Sequence, residues 1–236
     1  MTSSTKRISE MAALGGSSYG GNRKTAHEFV REVLRRAILS GELSGSTRLV
    51  QAELAATLEV STTPVREALR DLASEGLIRF DPHRGAVVQE LSNEEVGEIY
   101  AIREVLEPLA LRQAVPKITD ATLDRLRGLV RKMEDEPQSA EWVDFNRSFH
   151  MGIYESAASP RLAGIIRGLQ DASVMYIGAS LKEVPGLRDD ANRDHAEILD
   201  ALVRRDVEAA VSSVVNHLRL AMRAMRARPR LEPDHL

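Results

Sequence analysis

The chain contains no cysteine, which excludes a disulfide framework and any cysteine-ligated zinc site. Aromatic residues make up 4% of its 236 residues, with a single tryptophan. That is too few for a base-stacking platform on single-stranded nucleic acid. No apolar run approaches the roughly 18 residues of a membrane-spanning helix. The N-terminal stretch MTSSTKRISEMAALGGSSYGG has no apolar core of the secretory type. It is rich in Ser and Gly, and residues 1–22 are expected to be a mobile tail. These absences together predict a cytoplasmic protein without a membrane partner. Charge of one sign is also lacking, with 32 basic and 35 acidic residues for a net charge of −3. Residues 1–90 hold 12 basic and 11 acidic residues, net +1, and residues 91–236 hold 20 and 24, net −4. A net charge of +1 is a weak footprint for nucleic-acid binding. What is present is ordinary for a globular chain: 43% hydrophobic and 28% charged residues. The length suits one large domain or two small ones.

The first half changes pattern quickly. Phe29, Val30, Val33, Leu34, Ala37 and Ile38 recur at helical spacing between Thr25 and Leu39. A shorter helix fits Gln51–Leu58, and a third fits Thr63–Ser74, opened by Ser61, Thr63 and Pro64 and stopped at Gly76. Leu77–Phe80 and Ala86–Gln89 read as two short strands around the turn Asp81-Pro82-His83-Arg84-Gly85. Three helices followed by a hairpin form a winged helix-turn-helix pattern. In that arrangement Leu54, Ala55 and Leu58 pack against Val65, Ala68, Leu69 and Leu72. Ser61, Thr62, Thr63, Arg66, Glu67 and Arg70 are then free to face a major groove. Hydroxyls and amides at a helix N-terminus suit phosphate oxygens. Arg66 is the candidate for a bidentate guanine contact. Arg84, beside Gly85 at the hairpin tip, suits phosphate or a minor groove. The same pattern also serves protein-interaction modules.

The second half is helical throughout. Helices are expected over Ser92–Ala114, with a kink at Pro108, and over Thr119–Met133 and Ala140–Ser156. Three more are expected over Pro160–Ala179, Leu187–Arg204 and Asp206–Ala227, joined by short connections as in an antiparallel bundle. Residues 229–236 read as a tail. Asn146 and His150 stand at i,i+4 and share a helix face. His195 falls on the side of Ile198, Leu199 and Leu202, and His217 lies beside Val214, Leu218 and Ala221. The three histidines therefore point into the bundle, where neutral imidazoles suit zinc or another divalent transition metal. Histidines satisfied within the core give the same pattern.

Longer strings carry a resemblance. LAATLEVSTTPVREALRDLASEGLIRFDPHRGAVV resembles the winged helix of GntR-family transcription regulators, and LRRAILSGEL and RLVQAELA are similar to it as well. IYAIREVLEPLAL, FNRSFHMGIYESAASPRL and DHAEILDAL…HL resemble the FCD effector domain of the FadR subfamily, and the six helices fit its shorter, VanR-like branch. The resemblance covers about residues 25–228. It implies a mainly α fold with a DNA-binding domain at residues 23–90 and an effector-binding, dimerising helical domain at residues 91–228. Many relatives carry Gly where Glu59 stands, Arg where Thr62 stands and Pro where Ser44 stands. Some carry a base-reading Arg where Ala52 stands.

The resemblance implies that Asn146, His150, His195 and His217 bind a divalent metal, zinc first, with nickel or manganese as alternatives. The Asp common at the first of these positions is Asn here, a neutral and weaker ligand. Arg103 faces the ligand pocket in the resembling family, and Tyr100 one turn before it is grouped with it as an effector contact. The implied function is a ligand-responsive regulator, a repressor, that binds a two-fold symmetric duplex operator as a homodimer. A small carboxylate-type effector would change its affinity for that operator. The linker near Glu90–Glu94 is the expected point of transmission. Three alternatives stand beside it: a metal sensor without an organic effector, a metal-free variant, and a zinc hydrolase. The last is disfavoured because no HExxH-type carboxylate, phosphate loop or nucleophile elbow is present.

Overall fold

A computed structural model describes residues 25–136 and 139–227. The tails expected at 1–22 and 229–236 lie outside the described residues. The chain divides between Glu90 and Leu91 into two compact units.

The first unit holds α1 (Ala26–Leu39), β1 (Arg48–Leu49), α2 (Gln51–Thr57), α3 (Thr62–Ser74), β2 (Ile78–Asp81) and β3 (Gly85–Val88). Thr25 and Glu28 close a capping box at the start of α1, satisfying two amides that the first turn would leave open. Val30, Leu34, Ile38, Val65, Ala68, Leu69 and Leu72 form the buried core between α1 and α3. Arg31 and Arg35 of α1 both bind the Glu75 carboxylate, through Nε at 2.7 and 3.0 Å, and so fix the end of α3. The expected packing faces of α2 and α3 are buried as the spacing predicts.

The wing has three strands where the sequence pattern predicts two. Their order is β1-β3-β2, all antiparallel, with Leu49 opposite Ala86 and Phe80 opposite Ala86 from the other side. A two-residue strand is too short to show alternation, so β1 left no periodic signal. The hairpin also closes more tightly than expected, because Asp81 and Gly85 pair as strand residues.

The second unit holds α4 (Asn93–Ala114), α5 (Asp120–Asp135), α6 (Ser139–Glu155), α7 (Pro160–Glu183), α8 (Leu187–Val203) and α9 (Val207–Ala227). Ser92 and Glu95 form a second capping box at the start of α4. Those bonds hold the Glu95 carboxyl below its ordinary pKa. α4 runs on through Pro108 to Ala114. α7 extends one turn beyond the expected end at Ala179. α4 and α9 run antiparallel, tied by Glu104–Arg219 at 3.2 Å and Arg112–Glu208 at 2.9 Å. Gly152 on α6 lets α5 approach closely: a Cβ there would lie 3.2 Å from Leu126 Cδ2 and 3.1 Å from an Arg125 nitrogen.

Candidate functional site

In the first unit, Ser61, Thr62, Thr63, Arg66 and Arg70 are all exposed on α3, opposite its buried apolar face. Ser61 occupies the N-cap position, yet its hydroxyl makes no capping bond. The first turn carries no acidic residue, so its amides remain open to an anion. Arg84 and Gly85 sit on a separate element, the exposed wing tip. There the Asp81 carboxylate accepts from the His83 and Arg84 amides, both at 2.8 Å. Those two bonds hold its carboxyl below the ordinary value. Gly85 has φ +74°, a backbone state that glycine adopts at low cost.

In the second unit, α6 supplies Asn146 and His150, α8 supplies His195, and α9 supplies His217. All four side chains are buried. One ring nitrogen from each histidine falls within 4.8 Å of the others. His150 and His195 face each other Nε2 to Nε2 at 3.3 Å, and the His195 and His217 ring centres stand 4.6 Å apart. The amphipathic spacing that predicted inward histidines is realised. Burial, followed by the neighbouring His217, holds His150 and His195 well below the ordinary imidazole pKa, and both rings are therefore neutral. His217 Nδ1 lies 3.2 Å from the Asp194 carboxylate, which leaves its Nε2 for a ligand. The Asn146 side-chain oxygen is buried without a hydrogen-bond partner. A buried, unpartnered acceptor beside the three imidazoles is costly unless a cation or donor completes it. The residues present thus fit a divalent transition metal.

Arg103 lies beside this cluster. Its Nε donates to Glu107 at 2.8 Å and a terminal nitrogen lies 3.4 Å from the Ser173 hydroxyl. Its guanidinium carbon stands 4.6 Å from the Tyr100 ring centre. The second Glu107 oxygen accepts from the Tyr154 hydroxyl at 2.5 Å. The Tyr100 hydroxyl is buried and without a partner. Burial pushes both tyrosine pKa values up, so both remain protonated donors. A cavity of about 460 Å³, counting its open mouth, is lined by Tyr100, Arg103, Asn146, His150 and His217, with Trp142 and several aliphatic side chains.

The sequence assigns no site role to Glu107, Tyr154, Ser173 or Asp194, although an ion pair is the alternative reading of Arg103. Glu107 was legible as the i+4 partner of Arg103, and Asp194 as the acid preceding His195. Tyr154 and Ser173 lie 47 and 70 residues from their partners, and no local pattern links them.

Residues 26–88 match the bacterial regulatory proteins of the gntR family, and residues 98–220 match the FCD domain. The chain belongs to the GntR family. It is a DNA-binding transcription regulator, and the matched families and relatives are regulators rather than enzymes. A probable D-xylose utilization operon transcriptional repressor of Paenarthrobacter nicotinovorans is 29% identical over 199 residues, 83% of this chain and 87% of that protein. The gluconate operon transcriptional repressor of Bacillus licheniformis is 32% identical over 151 residues, 64% of this chain and 58% of that protein. Among solved structures, E. coli McbR/YncC superposes with a TM-score of 0.69 at 26% identity, covering 86% of this chain and 98% of that one. GntR-family regulators bind operator DNA, generally as dimers. No helix among the described residues is long and apolar enough to cross a membrane.

Proposed function

We propose that this regulator is a cytoplasmic repressor whose helical unit binds a divalent metal and a small carboxylate, and that carboxylate binding changes operator affinity. The observation that carries this reading is the convergence of His150, His195 and His217 beside the unpartnered Asn146 oxygen. Those four residues would hold the metal, zinc before nickel or manganese, and the ion would supply positive charge to attract an anion. Arg103 and Tyr100 donate toward the same cavity. Glu107 and Ser173 hold the guanidinium in place, so it is oriented before the ligand arrives.

On the DNA side, Arg66 reads a base. Ser61, Thr62, Thr63 and Arg70 engage the backbone, and Arg84 and Gly85 place the wing. Exposed Ile102, Val105 and Leu109 form one apolar stripe on α4, which a homodimer would cover on a two-fold symmetric operator. Both relatives described above are named as repressors. A coupling of about 1–3 kcal/mol would change operator affinity roughly 5- to 150-fold.

Elemental analysis of untagged protein, purified without added metal or chelator, tests this directly. About one transition-metal ion per chain is expected, with loss of the ion in His217→Ala. A folded protein that carries no metal, and takes none up from excess zinc, would sink the reading. A metal sensor without an organic effector is the second reading. It is favoured by the existing pairing of Arg103 with Glu107, which already matches the guanidinium charge. Operator affinity that tracks free metal and ignores every acid would select it.

A further inference from the structure

We infer that the effector is a monocarboxylate with an unbranched apolar tail, rather than a polyhydroxylated acid or a dicarboxylate. This rests on the carboxylate reading above and deepens it.

Three helices line the cavity in matching layers. α9 and α8 are antiparallel, with Asp194 on His217 fixing their register. Side chains four residues apart on a helix stack on one face, about 6 Å apart along the axis. His150, Asn146 and Trp142 descend α6 at that spacing. His195, Ala191 and Leu187 descend α8, and His217, Ala221 and Met225 descend α9. All of them except His195 line the cavity. The first layer is therefore imidazole, with the Trp142 ring centre 5.7 Å from that of His195, the second is Asn146 with two alanines, and the third is Leu187 and Met225. The alanines leave the space that the cavity occupies, and the third layer closes it with apolar surface.

Charge in the cavity is limited. Arg103 is the one Lys or Arg among the described lining residues, and none of them is Asp or Glu. Half of its guanidinium is already committed to Glu107 and Ser173. One carboxylate can meet Arg103 and the unpartnered Tyr100 hydroxyl; a second would be buried among leucines without a cation. A chain of hydroxyls would extend along the wall of Leu181, Leu187, Leu218 and Met225, where Ser180 offers a single unpartnered hydroxyl. A methylene chain loses nothing there, and each CH₂ removed from water should tighten binding about 4-fold.

The test uses the full chain saturated with Zn²⁺ and titrated calorimetrically. The probes are acetate, butyrate and hexanoate, then gluconate and adipate, which share hexanoate's carbon number. Affinity is expected to rise about 4-fold per methylene from acetate to hexanoate. Hexanoate should bind at least about 100-fold more tightly than gluconate or adipate, since unpaired buried polar groups discriminate strongly. In Ala221→Leu, with Zn²⁺ affinity measured separately and unchanged, acetate should bind as before while hexanoate weakens at least about 10-fold. A flat series, or gluconate or adipate binding as tightly as hexanoate, would overturn this inference and leave the carboxylate reading standing. No binding of any acid would overturn both.

Discussion

Arg103 donates through Nε to a Glu107 oxygen at 2.8 Å, one helical turn away, and the two side chains are 4% and 0% exposed. A buried pair of this kind is costly to break, because the charge left behind has neither water nor a counter-ion. Glu107→Gln keeps an acceptor for Tyr154, removes the charge, and sets an amide NH2 against the Arg103 Nε–H. It should lower the unfolding free energy by about 3–5 kcal/mol in urea titrations. Adding Arg103→Met to that variant should recover at least half of the loss. A double variant no more stable than the single one would show that the pairing charge is not what Glu107 contributes.

Asp194 acts one shell further out. Its carboxylate, 3.2 Å from His217 Nδ1, favours the tautomer that presents Nε2 to the proposed metal. It also returns a negative charge to a ligand set made neutral by Asn146. Asp194→Asn should weaken zinc binding by about 10- to 100-fold, as outer partners of ligating histidines do. Chelator-competition titrations read this directly, and thermal unfolding of the metal-free protein controls for damage to the fold. Equal zinc affinities would remove Asp194 from the site.

Acid should destabilise the metal-free protein in a window set by the histidines. His150 and His195 are depressed by burial, then by His217. In the unfolded chain each titrates near 6.5. As pH falls below that value the unfolded state takes up two protons that the folded state refuses. The stabilisation is therefore complete above about 6.5 and is lost as pH drops, by about 1.4 kcal/mol per pH unit for each proton. Denaturant unfolding at pH 7.5 and 5.5 should differ by about 3 kcal/mol from these two groups. About half of that difference should vanish in His150→Leu.

The legible parts of this molecule were those written in local pattern. The packing faces of α2 and α3, the Ser92 capping box and the inward histidines all follow from spacing along single helices. The two-residue β1 carries no period and so gives no strand signal. The partners of Arg103 were only half legible: Glu107 shares its helix turn, whereas Tyr154 and Ser173 reach it through tertiary packing. The cavity was illegible for the same reason, since its layers need the register between α6, α8 and α9, which no single helix encodes.

Glu59 shows a departure in sequence that turns out to have a structural cost. It follows α2 with φ +55°, in the left-handed region that disfavours a side chain. The position turns the chain sharply from α2 into α3, and the Val60 amide reaches back to the Ala55 carbonyl at 3.0 Å. A Cβ in that region costs roughly 1–2 kcal/mol, partly offset in glycine by its larger unfolded-state freedom. Glu59→Gly should therefore stabilise the first unit by about 0.5–1 kcal/mol. A lower melting temperature would mean that the Glu59 side chain makes a compensating contact.

The residue that opens the helical unit is held by the helix that lines its cavity. The Tyr176 hydroxyl accepts from the Leu91 amide and donates to the Leu91 carbonyl oxygen, the latter at 3.1 Å. Tyr176 stands on α7 between Ser173, which contacts Arg103, and Ile177, which lines the cavity. A shift of α7 on ligand binding would therefore be felt at Leu91, the first residue of the helical unit. Tyr176→Phe keeps the ring and removes both bonds, each worth about 1 kcal/mol. With zinc-loaded protein, the hexanoate affinity should stay within about 3-fold of the parent by calorimetry, because Tyr176 is not a cavity-lining residue. The acid-induced change in operator affinity, read by fluorescence anisotropy, should shrink from the roughly 5- to 150-fold expected for the intact coupling toward unity. A variant that binds hexanoate normally and still releases or grips its operator as the parent does would show that the signal leaves the helical unit by a route other than Leu91.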